Sequence, residues 1–379
     1  MSETLLIYFE DIPWTQETET ADVPFSTSLY GELLDADTGY AVTSDGISIQ
    51  QAHAESVEAA LGGADFPTKF SSGYRREYCI TDPNRLTTRV NLFSGETVDV
   101  SDYDTVLVTF VISQLYYIRY LRRKFPDKTI IGIQDESLQD VQLFPPDLQM
   151  LHYSALKDVD GFISEDPVYE RWVSGIVDDV LKLPLLVPSG HFDDVPPESP
   201  SEGRVCIGVG SNNLDPANIY TNIAVHQNLR NRGYDLEAEF LGAIDFQQNK
   251  LAGYEMSLNN VAILEYMDRG YYEHLAGYDL AILLTERVSA GRVSAELAAV
   301  GVPCIGNAQN DLQKRCFPDL SIEPYDVPTA VELATRLLTE TNYRERILAK
   351  AKEEVTALQS HGKAERKLES FVEQVQTGR

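Results

Sequence analysis

The run Glu286-Arg287-Val288-Ser289-Ala290-Gly291 lies between an apolar strand pattern, Leu280 to Leu284, and a helical pattern from about Arg292 to Val300. A loop that follows a strand and precedes a helix sits at the carboxyl edge of a parallel sheet, where open α/β sheets bind ligands. Gly210-Ser211 is a second such place, closing the strand pattern Arg204 to Val209 ahead of a helix. Amides at a helix start form an anion site, which makes this turn a candidate phosphate cradle. Holding a phosphate group needs positive charge or amide donors. Backbone at Gly210 and Gly291 offers the amides, and Arg292 either adds charge or is simply an exposed helix residue. Asp135 and Glu136 follow the strand Thr129 to Ile133. Two carboxylates there can bind an acceptor hydroxyl or act as base; equally, they read as a loop that caps the next helix. His191 follows the last strand of the first half and is the histidine placed to meet a ligand. The other five histidines lack partners at metal-ligand spacing, His274 reads as a surface residue, and no metal is required.

The elements that must hold these residues alternate strand with helix, which means crossover connections and parallel sheets. In the first half the strands are Leu5 to Phe9, Tyr103 to Val111, Thr129 to Ile133, Gly161 to Ser164 and Lys182 to Val187. Helical spacing runs over Asp45 to Leu61 and from Ile118 through Leu121 to Arg122-Arg123-Lys124, read as a solvated helix end. Periodicity is weak from Pro13 to Thr43 and from Gly63 to Leu86, predicting loops, insertions or short strands. Val195 to Gly203 carries three prolines among small polar residues and reads as a linker. Beyond it come strands Arg204 to Val209, Leu236 to Leu241, Val261 to Leu264, Leu280 to Leu284 and Pro303 to Ile305, then helices from Thr329 to Val375. Glu237 and Glu239 alternate with apolar neighbours and read as a solvated face. The boundaries are 1–195 for a first domain, 203–360 for a second and 361–379 for a last helix.

Tyr278-Asp279-Leu280, the Gly291 loop, Glu296 in the following helix and Gly301-Val302-Pro303 before the next strand resemble the second-domain signature of nucleotide-sugar glycosyltransferases of the GT-B architecture, especially the retaining family four. The resemblance implies an α/β fold of two Rossmann-like domains facing a cleft, with C-terminal helices, the last crossing back to the first domain. It implies a donor site of Gly210, Ser211, Met267, Ser289, Gly291, Arg292, Val293 and Glu296. In that family the loop glycine lets amides approach the diphosphate, the helix glutamate holds the ribose hydroxyls, and backbone near Met267 meets the base. Two departures stand out. The family's first glutamate, seven residues before the second, is Val288 here, leaving Glu286 as the substitute; and the Gly210 loop lacks the family's arginine and lysine.

Composition sets the remaining bounds. The 379 residues carry 59 Asp and Glu against 31 Lys and Arg, a net charge of −28 spread along the chain. This resembles cytoplasmic proteins of extreme halophiles, in which molar salt screens self-repulsion. A broad basic face for nucleic acid is absent. Four cysteines without close pairing indicate neither a disulfide framework nor a CxxC metal site. No basic segment followed by an apolar core opens the chain and no apolar run is long enough to span a bilayer, so the expected setting is cytoplasmic, with peripheral membrane association left open.

The sequence therefore reads as a transferase moving a sugar from a nucleotide-sugar donor, with no cofactor, to a glycan, lipid-linked or protein acceptor. Glu286, Asp135 and Glu136 are the catalytic candidates. The alternatives are a catalytically inactive GT-B-like binding or assembly subunit, which the two departures favour, and a nucleotide-sugar epimerase on the same fold.

Overall fold

Thr105-Val-Leu-Val-Thr109 and Thr129-Ile-Ile-Gly-Ile133 are buried at every position, as central strands covered on both faces must be. In the computed structural model they are β5 and β6 of a parallel sheet. The structure describes residues 4–8, 30–31, 33–49, 51–52, 84–185, 187, 192, 195, 203–209, 218–243, 260–265 and 270–378. These fall into two units, Met1–Leu186 with His361–Arg379, and Val187–Ser360.

The first unit holds β1 (Thr4–Tyr8), β2 (Asp37–Thr43), β3 (Leu86–Leu92), β4 (Thr97–Asp99), β5, β6, β7 (Gly161–Ser164) and β8 (Asp179–Lys182), in the order β4-β3-β2-β1-β5-β6-β7-β8. From β2 to β8 neighbours are parallel; β3 and β4 extend the edge antiparallel. Helices α1 (Leu115–Lys124), α2 (Leu138–Leu143), α3 (Pro146–Leu156) and α4 (Pro167–Val173) follow in chain order. Side chains of α1, α3 and α4, among them Ile118, Leu151 and Tyr169, cover one face of the sheet. The C-terminal helix of the chain, Gly362–Thr377, covers the other, packing Leu368, Phe371, Val372 and Val375 against Leu6, Leu107, Ile131 and Ile163. Each such side chain contributes roughly 1.5–3 kcal/mol by leaving water.

Three sequence expectations change here. β2 is a seven-residue parallel strand inside the weakly periodic stretch, where Asp37 and Gly39 interrupt the apolar pattern. The last strand of the unit is Asp179–Lys182, not Lys182 to Val187. Leu183 and Leu185 are buried as the apolar pattern suggested, but Pro184 between them has no N–H to continue a ladder. Arg122 is no solvated helix end, since its guanidinium donates to Asp160 Oδ2 at 2.5 Å and to the Asp158 carbonyl at 2.8 Å.

The second unit is a six-stranded, all-parallel sheet ordered β11-β10-β9-β12-β13-β14. Its strands are β9 (Arg204–Val209), β10 (Glu237–Ala243), β11 (Val261–Glu265), β12 (Leu280–Leu283), β13 (Cys304–Asn307) and β14 (Ser321–Ile322). The helices are α5 (Ile219–Asn231), α6 (Tyr271–Ala276), α7 (Arg292–Ala299), α8 (Asp311–Cys316), α9 (Val327–Thr339) and α10 (Thr341–Leu358), so the C-terminal helix of the first unit is α11. The strand order reverses between β9 and β12, which makes a topological switch point. A β-carbon at Gly208, near the end of β9, would stand 2.3 Å from the Phe240 ring, so only glycine lets β10 pack there.

Glu239 is not on a solvated face. Its carboxylate accepts from Arg204 Nη2 at 2.7 Å and the Tyr278 hydroxyl at 2.9 Å, and lies 3.0 Å from His274 Nε2. His274, expected at the surface, belongs to this half-buried cluster instead. Hydrogen bonds and the Arg204 charge outweigh desolvation and hold the Glu239 carboxyl below its ordinary range. No helix among the described residues is long and apolar enough to cross a membrane.

Candidate functional site

Where β9, β12 and β13 end, uncharged amide side chains tie the strand ends together. Asn222 of α5 donates to the Ile207 carbonyl at 3.0 Å and accepts from Leu284 N at 3.1 Å, joining β9 to β12. Asn307 donates to the Thr285 carbonyl at 2.9 Å, joining β13 to β12. Asn310 accepts from Ser289 N at 2.9 Å, and Leu312 N donates to the Ala290 carbonyl at 2.9 Å, fastening the loop to the start of α8. All three asparagines are buried. Buried amides hydrogen-bonded to the backbone in this way fix geometry without adding charge.

That frame surrounds a cavity of about 230 Å³ at the switch point. Gly208 and Val209 bound it from β9, Leu283 from the end of β12 and Thr285 just beyond it, and Ser289 with Gly291 to Ser294 from the loop and α7. Its lining includes Arg287 and Arg292 and, among the described residues, no aspartate or glutamate. On a chain of net charge −28 this is a local reversal of sign. Gly291 is the N-cap of α7 at φ 83°, a left-handed conformation open to glycine, and Gly291 to Ser294, where the helix starts, line the cavity. Helix-start amides and guanidinium groups are the donors that an anion site requires.

Glu296 is 1% exposed and sits behind this lining rather than in it. Its Oε1 accepts from Arg292 Nε at 2.7 Å and its Oε2 from the Tyr271 hydroxyl at 2.8 Å. Burial, then the Glu296 charge, push the Tyr271 hydroxyl well above its ordinary pKa. Val288 is buried at 5% exposure, so an apolar side chain fills that place in the loop. Glu286 is exposed and takes a hydrogen bond from the Tyr325 hydroxyl. The structure thus brings Ser289, Gly291, Arg292 and Val293 to one cavity, with Glu296 behind Arg292, and leaves Glu286 outside the lining. Gly210, Ser211, Met267 and His191 lie outside the described residues.

Asp135 and Glu136 follow β6 in the first unit, exposed and half-buried respectively. Neither caps the next helix; Ser137 does, accepting from Asp140 N at 3.2 Å. The loop is anchored by Gln134, which accepts from Ser164 Oγ at 2.6 Å and Glu165 N at 3.0 Å and donates to Asp166. Asp166 in turn caps α4 through Val168 N and Tyr169 N, and burial raises its pKa against those hydrogen bonds. Among the described residues no three His, Cys, Asp or Glu side chains are grouped to hold a metal.

Sequence reasoning missed Arg287, Thr285, Asn222, Asn307 and Asn310. Arg287 stood in the quoted loop, and an arginine beside a loop glycine after a strand was the available signal. The asparagines carry no motif, and their positions at strand ends show only in three dimensions.

No family model matches the chain, and no curated protein matches it. Solved structures do. Sucrose-phosphate synthase from Thermosynechococcus elongatus aligns with a TM-score of 0.61 at 13% identity, covering 100% of both chains. A UDP-forming α,α-trehalose-phosphate synthase from Burkholderia xenovorans aligns at 0.64 and 10% identity over 100% of this chain and 99% of that one. The E. coli trehalose-6-phosphate protein bound with UDP-2-fluoroglucose aligns at 0.64 and 10% identity over 99% of each. The chain is thus similar over its whole length to glycosyltransferases of the GT-B architecture, and its two Rossmann-like units with C-terminal helices have that fold.

Proposed function

We propose that the chain is a glycosyltransferase of the family-four type, whose second unit holds the diphosphate of a nucleotide-sugar donor in the Arg287 and Arg292 cavity. The observation that carries this reading is the lining of that cavity, which holds two arginines and, among the described residues, no carboxylate, on an otherwise acidic chain. Negative charge grows on the departing diphosphate during glycosyl transfer. Preformed amides at Gly291 and the first turn of α7, with the two guanidinium groups, stabilise it where it develops. The arginines thereby stand in for the cations absent from the Gly210 loop. Glu296 holds Arg292 in place, and its ribose contact requires the Tyr271 hydroxyl to yield. Asp135 or Glu136 binds the acceptor hydroxyl, and Glu286 is the carboxylate left to serve near the reacting sugar. Because two of the similar structures involve UDP by name, uridine diphosphate is the first donor nucleotide to try. The composition suits a cytoplasm of molar salt.

Val288 supports a second reading, a nucleotide-binding subunit without transfer activity, because the family's first glutamate is replaced by a buried apolar residue. Thermal shifts with uridine, guanosine and adenosine diphosphates, run in molar KCl, test the cavity. A folded protein that shifts with none of them refutes both the transferase and the nucleotide-binding subunit. Where one binds, product analysis of its sugar conjugates decides: transfer or slow hydrolysis identifies a transferase, an isomerised donor an epimerase, and unchanged donor the binding subunit.

A further inference from the structure

We infer, resting on the diphosphate reading of the Arg287 and Arg292 cavity, that Tyr271 determines how the site treats the pentose of its nucleotide. It occupies the acceptor that a ribose hydroxyl would need, so ribonucleoside and deoxyribonucleoside diphosphates bind alike.

A ribose offers two O–H donors, and a carboxylate is the acceptor that nucleotide sites commonly supply for them. Among the described residues the lining of the cavity holds no carboxylate, and the one tied to it, through Arg292, is Glu296. Both of its oxygens are engaged. Oε1 accepts from Arg292 Nε at 2.7 Å and Oε2 from the Tyr271 hydroxyl at 2.8 Å, and the side chain is 1% exposed.

A ligand hydroxyl that reaches Oε2 must first displace the phenol. The exchange breaks one O–H···O⁻ bond and forms another of the same kind, so gain and loss cancel. What remains is a cost, since the displaced, half-buried Tyr271 hydroxyl has to find another acceptor. Nor is α6, which Tyr271 opens, free to carry it away. His274 of the same helix lies 3.0 Å from Glu239 Oε2 and 3.1 Å from the Tyr278 hydroxyl, and the Tyr272 ring meets Phe192 edge-on with centroids 4.9 Å apart. A shift of the helix would break these contacts as well, so only rotation of the Tyr271 side chain frees Oε2.

A site built to hydrogen-bond a substrate hydroxyl rejects the analogue that lacks it, because its own polar group is then left unpaired. Here Tyr271 pairs that group whether or not the ligand carries the hydroxyl. The guanidinium groups and helix-start amides meet the diphosphate, which both kinds of nucleotide share. The class of donor nucleotide therefore widens to deoxyribonucleoside diphosphates, thymidine diphosphate included.

The test is isothermal titration of the full chain, in molar KCl, with uridine, guanosine and adenosine diphosphates, each against its 2′-deoxy and 3′-deoxy analogues. For every base that binds, the wild-type affinities should differ by less than about fivefold, or about 1 kcal/mol. Tyr271→Phe removes the hydroxyl and keeps the ring, which leaves Oε2 open to the pentose; it should favour the ribonucleotide over at least one analogue by more than about fivefold. Circular dichroism checks that the variant is folded; should it not be, Tyr271→Leu is read for the same preference. A wild-type difference above about fivefold overturns the inference and leaves the diphosphate site standing. A folded variant that still treats the nucleotides alike overturns it too, by removing the role of Tyr271. A folded wild-type chain that binds none of these nucleotides overturns the diphosphate reading and the inference with it.

Discussion

Arg292 Nε stands 2.7 Å from Glu296 Oε1, one helical turn away, with the carboxylate buried and the guanidinium bordering the cavity. The pair is a clamp: a buried charge finds its counter-charge at the mouth of the site and holds it there. Removing one member leaves the other uncompensated. Glu296→Ala should therefore weaken binding of the accepted nucleoside diphosphate by about 1–3 kcal/mol, the worth of a charge-assisted hydrogen bond. Arg292→Ala should weaken it too, and the double variant should be little worse than either, because the two act as a unit. Isothermal titration of the three variants checks this. Additive losses would show that Glu296 acts independently of Arg292, as a direct ribose contact would.

Arg287 is the other cation in the lining. Arg287→Gln should weaken a nucleoside diphosphate while leaving the parent nucleoside's affinity unchanged, since the base and ribose do not use that charge. Titrations at two ionic strengths check the assignment: the wild-type affinity should fall with salt more steeply than that of the variant. Equal slopes would remove Arg287 from the phosphate site.

Gly291 holds a left-handed conformation at φ 83°, and a β-carbon there would lie 3.3 Å from both Asn310 Cβ and Gln313 N. Gly291→Ala meets both obstacles, with the conformation alone costing about 1–2 kcal/mol. The melting temperature should drop and nucleotide binding should weaken together, because the same residue sets the fold of the loop and the direction of the α7 amides. Calorimetry and titration on one preparation would reveal it. A variant with wild-type affinity would show that the loop geometry is dispensable for the ligand.

The parts of this molecule that could be read from its sequence are those where one strand carries its own signal. β5, β6 and β9 are nearly continuous apolar runs, and Gly291 stands between a strand and a helix, so both the second sheet and its loop were legible. β2 was not, because Asp37 and Gly39 break the alternation and its burial comes from neighbours distant in the chain. Glu239 misled for a similar reason. Its alternation with Ala238 and Phe240 marks one face of β10 as polar, and only Arg204 of β9, His274 of α6 and Tyr278 from the turn after α6 make that face an enclosed cluster. Asn222, Asn307 and Asn310 sit at the ends of elements far apart in sequence, where no local rule distinguishes them from ordinary surface amides.

The net charge of −28 predicts a salt-dependent stability. The Debye length falls from about 10 Å at 0.1 M to about 3 Å at 1 M, which mutes repulsion between surface carboxylates. The melting temperature should rise as KCl is increased from 0.1 M to 1 M, about the concentrations just compared. Scanning calorimetry across that range checks it. A flat or falling profile would mean that the acidic surface is already balanced by local pairing and would remove the argument for a saline cytoplasm.

His152 predicts a second, acid-side dependence. It is 1% exposed, its Nε2 lies 2.8 Å from the Tyr169 hydroxyl, and the rings of Phe110 and Trp172 pack around it. Burial lowers its pKa from 6.5 to about 4. In the unfolded chain the ring takes up a proton near pH 6.5, whereas in the folded chain it stays neutral until about pH 4. Between those values the unfolded state binds more protons, so the stabilisation is complete above pH 6.5 and is lost as the pH falls toward 4. The full loss is about 3 kcal/mol, from the rule of roughly 1.4 kcal/mol per pKa unit. His152→Phe removes the titrating group while keeping a ring in the aromatic cluster, so its urea denaturation midpoint should vary less across that interval than the wild-type midpoint does. Parallel acid slopes for the two proteins would assign the loss of stability to carboxylates elsewhere, Glu239 first among them, because its depressed pKa also makes its stabilisation vanish as the pH falls.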